Sequence, residues 1–317
     1  MDRPLVVQTE ELEAEPAAWL AERCRLVVCS FEQRERFGEL LAEAKGLVIR
    51  TYTRVDDAML AAAPNLKVVG RAGVGLDNVD LEACARRGVS VVYTPDANTV
   101  AVVEYVMALI FDAARPRLFL EQPVPKAEWA KIRRELTARR QLNEQTLGIY
   151  GMGRIGQRVA RAAAGLDMNI IYHDLIEIAP DRRSGATPVG REELLRRSDI
   201  LTVHVDGRPG NRGLIGPEAV KLLQPEVVLI NASRGAMVDS FAVAEFMLAN
   251  PGATAMLDVH EPEPIEAANP LLEILNVHLS PHLAAGTETA HLNMSWVVRD
   301  VWRVLSDEKP MFPATVI

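Results

Sequence analysis

Cysteine is scarce. The 317-residue chain has three, Cys24, Cys29 and Cys84. They form no C-x-x-C pair, and an odd number leaves no closed disulfide set, so they read as small apolar core residues in a reducing compartment. An excess of positive charge is missing too. The formal net charge of −8 argues against nucleic acid as a partner but leaves room for a local basic cluster facing a small anion. Long apolar runs are absent. The stretch Val100 to Phe111 comes closest, but it is short and carries Glu104, so no membrane span is expected. Met1-Asp2-Arg3-Pro4 does not read as a signal peptide, and the expected location is the cytoplasm. His278 and His282 stand four residues apart, but across a strand end and Pro281 and not on one helix face, so no metal site is expected. There is no internal repeat and no low-complexity segment.

What is present is an alternation of strand and helix patterns. Leu5 to Val7, Arg25 to Cys29, Gly46 to Arg50, Leu66 to Gly70 and Val89 to Tyr93 read as strands, with helical segments such as Phe31 to Ala44 between them. Asn98 or Thr99 then caps a helix, continuing to Ile110, that is apolar almost all round and must be buried on more than one side. Arg115 to Glu144 is rich in charge and reads as a surface arm with some helix. Further strands follow at Ile200 to Val205, Val227 to Asn231, Thr254 to Leu257 and Val277 to Ser280. A last helix, about Thr287 to Leu305, is expected to carry the chain back to the first domain. The length suits two domains, and the pattern suits parallel sheets with helices on both faces.

The most informative segment is Leu147-Gly148-Ile149-Tyr150-Gly151-Met152-Gly153-Arg154-Ile155-Gly156, a G-x-G-x-x-G between a strand and a helix. A second strand, Asn169 to His173, delivers Asp174. Gly151 permits the tight turn, Gly153 the approach of a pyrophosphate, and Gly156 close packing of helix on strand. The helix N-terminus offers free N–H groups and partial positive charge. Asp174 accepts from a ribose and repels a 2′-phosphate. The following Leu175-Ile176-Glu177-Ile178 has no Arg to hold one, so NAD is expected over NADP.

In open α/β sheets ligands bind outside the carboxyl ends of strands. Three strand ends carry chemistry. Val227 to Asn231 leads into Ala232-Ser233-Arg234-Gly235, where Arg234 can grip a carboxylate. Thr254 to Leu257 leads into Asp258-Val259-His260-Glu261-Pro262-Glu263-Pro264. Val277 to Ser280 leads into Pro281-His282. A histidine exchanges protons near neutral pH, and a neighbouring carboxylate orients its ring. Glu261 and Glu263 compete for that role, and spacing does not separate them. His173, His204, His260, His278 and His291 read as structural.

These residues, with Gly70-Arg71-Ala72-Gly73-Val74-Gly75-Leu76-Asp77-Asn78-Val79-Asp80, Asn98 to Ile110, Ser198 to His204 and Asn269-Pro270-Leu271-Leu272, resemble the D-isomer-specific 2-hydroxyacid dehydrogenases over most of the chain. The resemblance implies two doubly wound parallel-sheet domains. A Rossmann nucleotide-binding domain (residues 97–284) is inserted into a flavodoxin-like substrate domain (1–96 and 285–317). The active site would lie in the cleft between them, and a homodimer would form through the nucleotide-binding domains. The catalytic set becomes Arg234, Glu263 and His282, the motif selecting Glu263 over Glu261. His282 moves the hydroxyl proton, Glu263 holds and polarises it, and Arg234 binds the substrate carboxylate and carbonyl oxygen. NAD would be held by Gly151, Gly153, Arg154, Ile155, Gly156, Asp174, Ser233 and Asp258, the last near the nicotinamide carboxamide. Backbone N–H groups of Ala72, Gly73, Val74 and Gly75 would cradle the carboxylate of a small anionic 2-hydroxy or 2-keto acid.

Within the family, Arg71-Ala72-Gly73-Val74-Gly75 is most similar to the 3-phosphoglycerate dehydrogenases, and Arg50 matches a second phosphate-binding Arg of those enzymes. That reading places the chain in serine biosynthesis. Lys131, Arg133 or Arg134 could add charge from another subunit. Tyr52 stands where some phosphoglycerate enzymes have a further Arg, Asp206 replaces the usual Pro after His204-Val205, and Asp96 replaces Gly or Asn. The chain stops soon after the last helix, so the regulatory domains of longer phosphoglycerate enzymes, with serine feedback through them, are not expected. The alternatives are a hydroxypyruvate/glyoxylate or other 2-keto-acid reductase and, from a different class, an NADH-sensing binding protein. The latter leaves Arg234, Glu263 and His282 unexplained.

Overall fold

Short runs of Val, Ile and Leu separated by helices cannot close hairpins, so they pair through crossovers. Every pairing between strands in the computed structural model, which describes residues 3–315, is parallel. The chain divides into two compact units, Met1–Asn98 with Ala285–Ile317, and Thr99–Ala284.

In the first unit five strands, β1 (Leu5–Gln8), β2 (Arg25–Val28), β3 (Gly46–Ile49), β4 (Val68–Arg71) and β5 (Ser90–Tyr93), line up in the order β2-β1-β3-β4-β5. Strands buried on both faces read as continuous apolar runs, and their two-residue period divides them between two cores. Val7, Leu47, Ile49, Val69 and Val91 face Phe37, Leu41 and Leu60. Val6, Val48, Val68 and Val92 face Leu20, Val297, Val298 and Val301. The second core therefore needs the far end of the chain. The C-terminal segment expected as one helix is two, Glu288–Ser295 and Val298–Leu305. Ser295 marks the break. Its hydroxyl donates back to the His291 carbonyl and accepts the Glu13 N–H, a local bond that bends helices.

In the second unit seven strands follow: β6 (Thr146–Tyr150), β7 (Asn169–His173), β8 (Thr187–Pro188), β9 (Ile200–Val203), β10 (Val228–Asn231), β11 (Thr254–Leu257) and β12 (Val277–Leu279). Their order is β12-β11-β10-β9-β6-β7-β8. Strand order reverses between β6 and β9, the switch point where open α/β sheets bind ligands. The mostly apolar helix Thr99–Ala114 buries Val102, Val106 and Ile110 and packs against the helix Arg154–Ala164. The following arm carries a helix, Lys126–Glu135, that buries no residue. Among the described residues, no helix is long and apolar enough to cross a membrane.

Candidate active site

The glycine loop opens where β6 ends at the switch point. Gly151 has φ +96°, and a Cβ there would lie 2.7 Å from the His204 carbonyl oxygen, which follows β9. Only glycine fits such a position. Gly153 is the N-cap of the helix Arg154–Ala164, no side chain caps it, and the space in front of it is open. A helix N-terminus without a side-chain cap, beside open space, suits a pyrophosphate, so the residues present fit a dinucleotide. Asp174, just past β7, ties the loop down. Its Oδ2 accepts the Met152 N–H at 2.6 Å and its Oδ1 the Ile176 N–H at 3.0 Å. His204 is held too deeply to ionise: burial pushes its pKa down to about 3, which keeps a neutral ring beside the loop. Asp206 accepts two hydrogen bonds from the Arg208 guanidinium and one from the Arg208 N–H, and also accepts from Asn211 Nδ2 at 3.1 Å. The Arg208 bonds, outweighing burial, hold its carboxyl below the usual range.

Three strand ends on one side of this sheet carry the candidate catalytic residues. After β10, Asn231 staples the turn. Its Oδ1 accepts the N–H and hydroxyl of Ser233 and its Nδ2 donates to the Arg234 carbonyl. Ser233, expected at the cofactor, is thus buried and spends its hydroxyl inside the turn. Arg234 Nη1 donates to the Ser233 carbonyl at 2.7 Å. Gly235 abuts the His260 backbone so closely that any side chain would overlap it, and the Arg234 loop is thereby seated on the loop that follows β11.

That loop separates the two glutamates. Glu261 pairs with Arg212 at the surface. Glu263 accepts the His260 N–H at 2.9 Å through Oε1 and meets His282 Nδ1 at 2.8 Å through Oε2. Burial pushes the Glu263 carboxyl up, but the bonds from His282 and the His260 N–H outweigh it and hold it below the usual range. With Nδ1–H given to Glu263, the neutral imidazole presents Nε2 as its acceptor.

His282 itself sits in the left-handed region, φ +57°, a conformation that persists only when its surroundings impose it. Asp258 imposes it. Fully buried at the end of β11, Asp258 accepts the Ser280 hydroxyl and the Leu283 N–H on Oδ1 and the Ala284 N–H on Oδ2, while its carbonyl accepts the His282 N–H. Tyr105, on the core helix, donates its hydroxyl to Ser280 Oγ at 2.9 Å. Asp258, expected near the nicotinamide, is placed by its bonds as the anchor of the His282 loop. Tyr105, Ser280, Asn231 and the His260 N–H do not stand out in the sequence. A polar residue at each strand end was the available signal for Asn231 and Ser280, whereas Tyr105 lies in an apolar helix and gave none.

In the first unit, Arg50 follows β3 and Arg71 ends β4, where Ile49 and Arg71 are paired in register. The Arg71 guanidinium folds over Gly73, leaving no room for a side chain there. The N–H groups of Ala72 and Gly73 already donate to the carbonyls of Ile49 and Arg71. Arg50 Nη1 donates to the Glu11 carbonyl at 3.2 Å, and Tyr52 is exposed.

Residues 107–284 match the model of the family described as D-isomer specific 2-hydroxyacid dehydrogenase, NAD binding domain. The chain is 36% identical over 268 residues to a D-3-phosphoglycerate dehydrogenase of Archaeoglobus fulgidus, covering 84% of this chain and 50% of that protein. It is 35% identical over 308 residues to a glyoxylate reductase of Aeropyrum pernix, covering 95% of this chain and 92% of that one. The chain therefore spans half the length of the first relative and most of the second. Among solved structures, an NADPH-dependent glyoxylate/hydroxypyruvate reductase of Sinorhizobium meliloti, in complex with NADP and malonate, superposes with a TM-score of 0.84 at 26% identity, covering 99% of this chain and 97% of that one. The matched segment and the relatives at this identity place the chain in the D-isomer specific 2-hydroxyacid dehydrogenase family, whose NAD-binding domain occupies residues 107–284.

Proposed function

We propose that the protein interconverts a D-2-hydroxy acid and its 2-keto acid with NAD, and that the acid is 3-phosphoglycerate. The observation that carries the reaction is the 2.8 Å contact between Glu263 and His282 Nδ1. Bound NAD supplies the hydride acceptor, or as NADH the donor. His282 Nε2 takes the substrate hydroxyl proton in oxidation and returns it in reduction. Glu263 fixes the tautomer and stabilises the imidazolium that forms. Arg234 holds the substrate carboxylate and stabilises charge on the reacting oxygen. Asp258 keeps the His282 loop in place. Within the first unit, the loop after β4 would meet an anion through the N–H groups of Val74 and Gly75, since those of Ala72 and Gly73 are engaged elsewhere.

The phosphate reading rests on Arg50 and Arg71, which end neighbouring strands of one sheet. Two guanidinium groups suit a doubly charged phosphate better than a lone carboxylate needs. A second reading, reduction of glyoxylate or hydroxypyruvate, is favoured by Tyr52, a bulky phenol beside Arg50 in place of a third cation. The names of relatives at nearly equal identity divide the same way. We also infer a homodimer through the nucleotide-binding unit. The arm after the core helix leaves Leu118, Phe119, Leu120 and Trp129 exposed, with Phe119 at 80%, an apolar surface of the kind that marks subunit contacts.

The test is initial rates of NAD with 3-phosphoglycerate at alkaline pH, beside NADH with hydroxypyruvate and with glyoxylate. Preference for phosphoglycerate, lost in Arg50→Ala and Arg71→Ala, supports the phosphate site. Turnover of only the small keto acids, unaffected by those changes, removes it. NADH binding without turnover of any 2-keto acid would favour a sensor.

A further inference from the structure

The loop after β3 is held by a carboxylate from its own chain. Glu10 Oε1 accepts the N–H of Arg50 (3.0 Å), the N–H of Thr53 (3.0 Å) and the Thr53 hydroxyl (2.9 Å). Its Oε2 accepts the N–H of Thr51 (2.8 Å) and of Tyr52 (3.1 Å). Four successive backbone N–H groups thus converge on one anion, the arrangement by which backbone concavities bind phosphate and carboxylate ligands. The rest of the loop is pinned from the other side. Asn78 Nδ2 donates to the carbonyls of Arg50 (3.0 Å) and Thr53 (2.7 Å), and the fully buried Thr53 shares a 2.6 Å hydroxyl contact with Thr9. Burial pushes the Glu10 carboxyl up, yet the N–H groups of Thr53, Tyr52, Arg50 and Thr51 outweigh it and hold it below the usual range. Glu10 is therefore ionised near neutral pH, and the backbone of residues 50–53 has no N–H left to offer a substrate.

We propose that Glu10 is a positioning residue for substrate recognition: an internal anion that saturates the loop after β3, so that this loop meets an external anion through the Arg50 guanidinium instead of through its backbone. The inference rests on the reading that Arg50 binds the substrate phosphate. A loop with an empty nest would accept any small anion and would leave the Cα of Arg50 loose. With Glu10 in place the nest is closed to outside anions, and the arginine projects from a fixed base. Placement of this kind affects an anionic substrate that reaches Arg50 and spares one that does not.

The experiment uses the full chain with NAD or NADH. Glu10→Gln keeps the side chain's size and removes its charge. The expected result is a KM for 3-phosphoglycerate raised on the order of tenfold, as for a lost charge-assisted contact, with kcat and the glyoxylate KM within about twofold of the wild type. Glu10→Ala empties the nest. Acetate should then raise its Tm saturably and restore the KM for phosphoglycerate, with no such response in the wild type. A Glu10→Gln protein with unchanged KM for phosphoglycerate, beside an Arg50→Ala protein in which it rises, overturns the proposal and leaves the phosphate reading intact. Unchanged kinetics in Arg50→Ala removes the phosphate reading. In that case the acetate titration of Glu10→Ala alone decides whether the nest is real, a flat response overturning it. Should the Ala variant fail to fold, the substrate split in Glu10→Gln decides.

Discussion

In the proposed reaction one imidazole with two differently committed nitrogens organises the chemistry, and single substitutions reach it by separate routes. His282→Ala should lower kcat on the order of 10²–10⁴-fold, the range for a lost general acid–base group, while NADH binding followed by fluorescence is unchanged. Loss of binding would mean that the loop, not the proton carrier, had been removed. Glu263 adds a pH signature. Its pKa is depressed in the folded protein, so its stabilising contribution is present above the ordinary carboxylate range and fades as pH falls through the depressed value. The difference in Tm between wild type and Glu263→Gln should therefore be largest near neutrality and shrink in acid. A difference that grows in acid would contradict the assigned bond. Gly235→Ala tests the seating of Arg234. The new methyl meets the His260 backbone, so a loss of about 1–3 kcal/mol should come with a fall in kcat/KM of about 10²-fold, read by melting and initial rates. The placement of this candidate site was legible in the sequence, because Arg234, Glu263 and His282 each follow a strand. The choice between Glu261 and Glu263 was not legible from spacing. It depends on Arg212, about fifty residues away in sequence, drawing Glu261 outward.

Among the elements, caps and short local bonds decide where helices start and stop. Thr287 caps the helix Glu288–Ser295 by accepting the Ala290 N–H at 3.1 Å. Thr287→Ala should cost about 1 kcal/mol. Because Trp296 follows that helix, edge-to-face with Trp19 at 6.2 Å and beneath Arg299 at 3.8 Å, tryptophan emission should report the loosening before global unfolding. An unchanged spectrum with a full loss of stability would show that the helix does not fray alone. The strands were legible because β-branched runs bounded by polar turns announce themselves. The exceptions have physical causes. β8 is two residues long and contains Pro188, too short and too poor in donors to form a pattern. The break at Ser295 is made by a serine bonding back to its own helix, with no glycine or proline to signal it. The Glu10 nest joins a residue after β1 to a loop after β3, a contact that no local pattern encodes.

At the scale of the whole molecule, each unit has a core of its own, so the two can respond differently to ligand. NAD at a hundred times its dissociation constant should stabilise the nucleotide-binding unit by about 2.7 kcal/mol. In a calorimetric scan the cofactor should move that unit's transition upward and either leave the other in place or, if the units melt together, shift a single peak. A scan with no shift at saturating NAD would contradict the cofactor site. Size-exclusion chromatography with light scattering should give twice the chain mass of 34.9 kDa, reduced to one chain mass by Phe119→Glu. The discontinuous first unit has a consequence for how the protein is made. Its sheet is complete once residue 93 has emerged from the ribosome, yet one face of that sheet needs Val297, Val298 and Val301, the last seated directly over Gly70. The inserted unit, Thr99–Ala284, is contiguous and can close as soon as it is synthesised. At a translation rate of about 5–20 residues per second, the first sheet waits on the order of ten seconds or more with a bare apolar face. During biosynthesis, then, the first unit's sheet is made before the inserted unit and finished after it, and its waiting face is one that molecular chaperones have reason to guard.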